Sequence, residues 1–326
     1  CLMKAIETYQ EQFLEFLNDY NTEREPKNLY QPIEYILNLG GKRLRPVLTL
    51  MTTACFGGEV SRAMDAALAV EVFHNFSLIH DDIMDAAPLR RGQETVHEKW
   101  DLNTGILSGD AMLIRAYQLF ENYPPETFRE LAKLFSKTAL EVCEGQQYDI
   151  DFETRLEVSI PEYLKMIEYK TAVLVGAAMK MGAIVANAAI EDQNRCYEFG
   201  KNLGIAFQLQ DDYLDAFGNP ETFGKQVGGD ILENKKTYLF LKAIENGTPE
   251  VRAELIQLFQ NSVIQPENKV SKALDLFVRS ESNHATKAAI SSYTKAAFDI
   301  LETINISSSN KQILKDFGTN LMTRDV

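Results

Sequence analysis

Apolar side chains return every three or four positions along most of the chain, as in Ile6, Phe13, Leu14 and Leu17, in Leu131, Leu134, Phe135 and Leu140, and in Leu255, Leu258 and Phe259. That interval is the turn of an amphipathic helix; the two-residue alternation of a half-buried strand never persists beyond a few positions. Helix limits fall where Pro46 follows Gly40-Gly41, where Gly57-Gly58 close the next segment, and where Ser159, Pro161 and Glu162 form a helix-start signature. Punctuation at Glu25-Pro26, Pro124-Pro125 and Gly247 to Pro249 never lengthens into a linker. The pattern predicts an all-α chain, folded as one domain of ten or more helices over residues 1–326.

Two interruptions of this pattern carry chemistry. Asp81-Asp82-Ile83-Met84-Asp85 and Asp211-Asp212-Tyr213-Leu214-Asp215 are acidic pentads of the same spacing, and with 18 Asp in the chain a single one is expected by chance in about 5% of random sequences of this length. Within each pentad the first and last acids lie one helical turn apart and so share a face. Read backwards at helical spacing, the pentads continue as two stripes, His74, Leu78, Asp81, Asp85 and Gly204, Gln208, Asp211, Asp215. The preceding residues are strongly apolar (Phe73, Phe76, Ile79; Ile205, Phe207, Leu209), so the acids end buried helices and are not parts of solvated ones. Hard oxygen donors without a cysteine or histidine at metal spacing favour Mg²⁺ or Mn²⁺, and Mg²⁺ usually completes its shell with water and substrate phosphates.

Composition sharpens this reading. The 326 residues are 45% hydrophobic and 25% charged, which suits a well-buried globular core, and the net charge of −14 argues against a general nucleic-acid binder. An anionic ligand must therefore meet a local basic cluster or a metal. Lys42 and Arg45 lie on the Gly40-Gly41 turn before a helix expected to open at Pro46, where free N–H groups favour phosphate. Arg90-Arg91-Gly92 follows the first pentad, and Gly224-Lys225 with Lys235-Lys236 follows the second on a Gly-rich segment able to close as a lid. Lys170-Thr171 lies mid-helix among apolar turns, where a buried lysine needs a partner. Four scattered cysteines without a CxxC pair suit a reducing, cytoplasmic compartment, and no apolar run is long enough to cross a membrane.

Taken together, Gly40-Gly41-Lys42-Arg43-Leu44-Arg45-Pro46, the first pentad with Leu89-Arg90-Arg91-Gly92, Gly145-Gln146, Lys170-Thr171, Phe207-Gln208-Leu209-Gln210 with the second pentad, and Gly224-Lys225 resemble the trans-isoprenyl diphosphate synthase (polyprenyl synthetase) family. The resemblance implies a helical bundle around a deep central cavity, usually a homodimer, joining isopentenyl diphosphate head to tail onto dimethylallyl, geranyl or farnesyl diphosphate. Carried over by motif, Asp81 and Asp85, with Asp211 and Asp212 or Asp215, would hold up to three Mg²⁺ ions, Mn²⁺ being a possible substitute. Arg90, Lys170, Lys225 and Lys235 would surround the allylic diphosphate; Lys42, Arg45, His74 and Arg91 would bind isopentenyl diphosphate. Thr171 and Gln208, with Lys170, would serve the reacting allylic group, their oxygens turned toward its developing cation. In this family a bulky residue four or five positions before the first pentad floors the product pocket, here Ser77 and Phe76, a pattern that resembles geranylgeranyl diphosphate synthases first and farnesyl diphosphate synthases next. Glu94 departs from the proline often found there. A class I terpene cyclase fits less well because it lacks a second pentad, and a non-catalytic partner subunit because this chain keeps every cluster.

Overall fold

The computed structural model describes residues 2–219, 227–260 and 264–323. The expected helices are there. In order they are α1 (Leu2–Tyr20), α2 (Lys27–Asn38), α3 (Leu44–Cys55), α4 (Met64–Met84), α5 (Val96–Lys99), α6 (Leu102–Phe120), α7 (Pro125–Thr154), α8 (Ile160–Ile167), α9 (Val173–Val185), α10 (Ile190–Phe217), α11 (Gly229–Leu232), α12 (Tyr238–Asn246), α13 (Pro249–Gln260), α14 (Pro266–Arg279), α15 (Ser282–Thr303) and α16 (Ser308–Met322). Among the described residues the strands are β1 (Leu89–Arg90) and β2 (Gln93–Glu94), an antiparallel pair with Leu89 opposite Glu94 and Arg90 opposite Gln93. No helix among them is long and apolar enough to cross a membrane.

The chain divides into two compact units, one of Cys1–Lys137 with Ala177–Cys196, the other of Thr138–Gly176 with Tyr197–Val326. In the first, α4 packs along α6 and α3. Its core is aromatic: Phe135 meets Phe73, Phe120 and Tyr117 edge to face at centroid distances of 5.2, 5.3 and 4.7 Å. Buried hydroxyls on α3 are satisfied across a close helix approach, Thr49 donating to the Ala178 carbonyl (2.8 Å) and Thr53 to that of Gly182 (3.0 Å). Gly182 permits the approach, because a Cβ there would stand 2.3 Å from the Thr49 carbonyl oxygen.

The second unit buries Tyr163, Ile167, Leu209, Leu239, Leu255 and Phe277 in one apolar cluster. The helix start expected at Ser159 is a capping box, with the Ser159 hydroxyl accepting from the Glu162 N–H and the Glu162 carboxylate accepting from the Ser159 N–H. Arg155 and then the Ser159 donors hold that carboxyl down at about 2.

Two local features differ from the sequence expectation. Helix α3 opens at Leu44 and not Pro46, because Arg43 takes a left-handed conformation (φ 51°) and is pinned there by its side chain; Pro46 then occupies the first turn, where no N–H is required. Between α8 and α9 the helix widens to a π segment over Glu168–Ala172. Gly145 of α7 lies against it so closely that a Cβ would stand 2.3 Å from the Lys170 backbone nitrogen. Such bulges re-aim side chains, and this one carries Lys170 and Thr171.

Candidate active site

In the first unit α4 is largely buried as far as Ile79, with Glu71, His74 and Asn75 as polar groups along it, and ends in its pentad. Asp85 caps it, donating its N–H to the Asp81 carbonyl (2.8 Å), and Ala86 turns the chain out with φ 49°. Asp81 is half-buried and Asp85 exposed. The middle acid, Asp82, is buried and gripped by the Arg90 fork, Nε to Oδ2 and Nη2 to Oδ1, both 2.8 Å. A bidentate fork of this kind fixes both partners.

The Gly40-to-Pro46 segment is held from beneath. Buried Arg43 donates to Glu71 Oε1 at 2.6 Å and to the Leu37 carbonyl, while Asn75 donates to the same Glu71 oxygen at 3.2 Å. Lys42 stays exposed. Arg45 Nη1 lies 3.4 Å from His74 Nε2; because arginine only donates, that imidazole nitrogen accepts. The Arg45 Nε is buried without a hydrogen-bond partner. Arg91, itself left-handed at φ 52°, donates to the Gly40 carbonyl and presses on Gly41, where a Cβ would meet its guanidinium at 2.8 Å. Burial, and then Arg45, Arg91, Arg90 and Arg43, push the His74 imidazole well below its ordinary value, so it is neutral at physiological pH.

Arg45 thus lies against a neutral histidine that also feels the charge of Arg91, Arg90 and Arg43, and of these only Arg43, with Glu71, and Arg90, with Asp82, are ion-paired, in a chain of net charge −14. Surplus positive charge and an unpartnered buried donor suit a multiply charged anion.

In the second unit, Lys170, half-buried, pairs with Asp149 at 2.5 Å. Thr171 donates to Gln208 Oε1 (3.3 Å), and Gln208 Nε2 donates to Asp212 Oδ1 (3.0 Å), which fixes the amide's orientation. The other Asp212 oxygen is buried without a hydrogen-bond partner. Burial first, then Asp230, Asp215 and Asp149 against the opposing pull of Lys235, raise this carboxyl well above its ordinary value. Asp211 is half-buried. Asp215 accepts the Asp230 N–H at 3.0 Å, bracing the turn at Gly228. Lys235 bridges Asp230 (3.3 Å) and Glu233 (2.9 Å); burial alone would lower its amine, but the two carboxylates hold it above its ordinary value. Lys225 and the Gly224 segment read as a lid lie outside the described residues.

Phe76 is buried, with its ring on Phe73 (5.5 Å) and His80 (4.8 Å), whereas Ser77 returns its hydroxyl to the His74 carbonyl at 2.7 Å. Sequence reasoning missed Glu71, Asp149 and Asp230, the acids that pair with the basic residues. Glu71 did leave a signal, as the lone charge in the run Ala66-Ala67-Leu68-Ala69-Val70-Glu71-Val72-Phe73, where burial demands a counter-ion.

Among the described residues no three His, Cys, Asp or Glu side chains gather closely enough to hold a metal by themselves. The donors do fit Mg²⁺, which keeps waters and takes phosphate oxygens, and the bare buried Asp212 oxygen is one that a cation would satisfy.

The polyprenyl synthetase family profile matches residues 26–277. A short chain isoprenyl diphosphate synthase of Methanothermobacter thermautotrophicus is 34% identical over 96% of this chain and 95% of its own. A geranylfarnesyl diphosphate synthase of Natronomonas pharaonis is 39% identical over 69% of this chain and 71% of its own. A crystal structure of a geranylgeranyl pyrophosphate synthase superposes with a TM-score of 0.94 at 56% identity, covering 98% of this chain and 99% of that one.

Proposed function

The chain belongs to the polyprenyl synthetase family and is a short-chain prenyltransferase, and from that premise we propose how its residues divide the work. The reaction joins isopentenyl diphosphate head to tail with dimethylallyl, geranyl or farnesyl diphosphate and releases diphosphate, with geranylgeranyl diphosphate the favoured product and farnesyl diphosphate next. The observation that carries this reading is the Arg45 guanidinium, 3.4 Å from His74 and with its Nε buried and unpartnered.

Lys42, Arg45, His74 and Arg91 bind the isopentenyl diphosphate; the unpartnered Arg45 Nε supports that assignment, as does the acceptor role of His74 Nε2 toward Arg45, which leaves the neutral ring's proton on Nδ1 as a donor. Arg90, Lys170, Lys225 and Lys235 bring positive charge to the allylic diphosphate as its carbon–oxygen bond ionises. Thr171 and Gln208, aligned by their mutual hydrogen bond, turn oxygen toward the allylic cation. The isopentenyl double bond attacks that cation, and the departing diphosphate takes the proton. No nucleophilic serine or cysteine is needed, and an apolar enclosure that keeps water from the cation is. Asp81, Asp85 and Asp211, with Asp212 or Asp215, would hold the metal, up to three Mg²⁺ ions with Mn²⁺ as substitute; once bound, it supplies positive charge for the leaving group.

A homodimer is part of the proposal. Leu102, Ile106, Leu107 and Ile114 on α6 are 41–59% exposed, an apolar face that a second copy would cover, and sedimentation would read it. The compartment we propose is the cytoplasm, from the scattered cysteines without a CxxC pair.

Incubation with Mg²⁺, isopentenyl diphosphate and each allylic primer in parallel, followed by chain-length analysis, tests the function. A twenty-carbon end product, or a fifteen-carbon one, is expected. No elongation from any primer by folded protein would overturn it.

A further inference from the structure

The hairpin that carries Arg90 and Arg91 is too small to hold itself. Strands β1 and β2 have two residues each, and their two-residue turn puts both Arg91 (φ 52°) and Gly92 (φ 76°) in the left-handed region. An isolated pair of that length is not stable in water, and a non-glycine residue at positive φ adds strain. Its shape must therefore come from fastenings outside it.

Those fastenings can be read off. Arg90 is locked by the Asp82 fork, and the exit of the hairpin is tied back by Thr95, whose hydroxyl donates to the Ala87 carbonyl (2.7 Å) and whose N–H donates to that of Pro88 (3.1 Å). The strand after Arg91 has another tie, to α2: the Tyr35 hydroxyl donates to the Glu94 carbonyl at 2.7 Å. The acceptor is backbone, so this tie does not depend on which side chain stands at 94.

Tyr35 is itself held in place. Its ring meets Trp100 edge to face at 5.3 Å, and the Lys99 ammonium lies 5.0 Å from the ring centre. Burial, and then the Glu94 carboxylate, raise its phenol, so the hydroxyl keeps its proton and stays a donor. Tyr35 and Arg91 line the same open cleft of about 640 Å³, together with Leu39 and Gln93.

We infer that Tyr35 is a positioning residue for isopentenyl diphosphate: by holding the Glu94 carbonyl to α2 it keeps the strained Arg91 guanidinium at the Gly40-Gly41 turn, ready for the substrate. Arg90 does not depend on Tyr35, because Asp82 holds it independently. The inference rests on the role proposed above for Arg91.

Steady-state kinetics of Tyr35→Phe, alone and in an Arg91→Gln background, test it. Removing the hydroxyl while keeping the ring should raise KM for isopentenyl diphosphate about 3- to 10-fold, with kcat and the allylic KM changed less than about 2-fold. In the Arg91→Gln background Tyr35→Phe should add less than about 2-fold, since the group it positions is gone. An unchanged isopentenyl KM, an equal rise in both substrates' KM, or full additivity with Arg91→Gln would overturn the inference while wild-type activity leaves the function standing. A wild-type chain that condenses nothing would overturn the function and this role with it.

Discussion

The two acidic pentads share a spacing and differ in the treatment of the middle acid. Asp82 is buried against the Arg90 fork, a carboxylate already compensated within the protein. Asp212 is equally buried, yet it has only a neutral amide on one oxygen and nothing on the other, and burial, then Asp230, Asp215 and Asp149 against the pull of Lys235, push its proton affinity up. One motif thus gives a settled ion pair and an unsettled charge. Burying a charge is costly unless it is paired, so the second pentad stores instability that a bound cation would relieve.

That contrast concerns only the middle positions, and the largest expected effect checks that the outer ones are alike. Asp81→Asn and Asp211→Asn should each lower kcat/KM by about 10³-fold or more, since in the proposed roles each would hold a cation that stabilises the leaving group. Retention of a tenth of wild-type activity in either would make the two pentads unequal partners.

The flanks sharpen the comparison next. Five positions before the first pentad stands Phe76, and five before the second stands Ala206. Phe76→Ala should shift the end product to a longer chain by at least one five-carbon unit, read by product chromatography; unchanged lengths would rule Phe76 out as the floor.

Stability should then separate the middle acids by sign. Asp82→Asn breaks a bidentate pair and should lower Tm of the metal-free protein by about 3–5 °C, whereas Asp212→Asn removes an uncompensated charge and should raise it by about 1–3 °C. The same direction of change in both would erase the contrast.

The smallest effect is in the pH dependence. Asp212 has a raised folded value, so the native state binds its proton more tightly than the unfolded chain does; its contribution is fully present below the ordinary carboxylate range and is lost as pH rises through the raised value. Melting temperatures of wild type minus Asp212→Asn should fall with rising pH, and a flat difference would mean that Asp212 is ionised in the fold at no cost. His74 runs the opposite way: its value is lowered, so its contribution is present above the ordinary imidazole value and lost as pH falls through it. Because both proteins share it, it cancels in the difference.

Much of this was legible in the sequence. The helical period, the Ser159 capping box and both pentads are local patterns, and local patterns survive folding. That Lys170, set among apolar turns, would pair with an acid was also legible. The pairings were not legible, because which acid reaches which base depends on packing: Glu71 under Arg43, Asp149 on Lys170 and Asp230 beside Lys235 are 28, 21 and 5 positions apart in sequence. The π segment was hidden for the same reason. It arises where Gly145 lets one helix press on another, and nothing in Glu168-Tyr169-Lys170-Thr171-Ala172 announces it.

What most needs testing is the proposal that Asp81 and Asp211 each hold Mg²⁺ for the allylic diphosphate. Calorimetric titration with a non-ionisable allylic diphosphate analogue, with and without Mg²⁺, tests it most directly when wild type is run beside Asp81→Asn and Asp211→Asn. Binding should depend on Mg²⁺ and weaken at least about tenfold in each variant. Wild-type affinity in either variant, or binding indifferent to Mg²⁺, would contradict it.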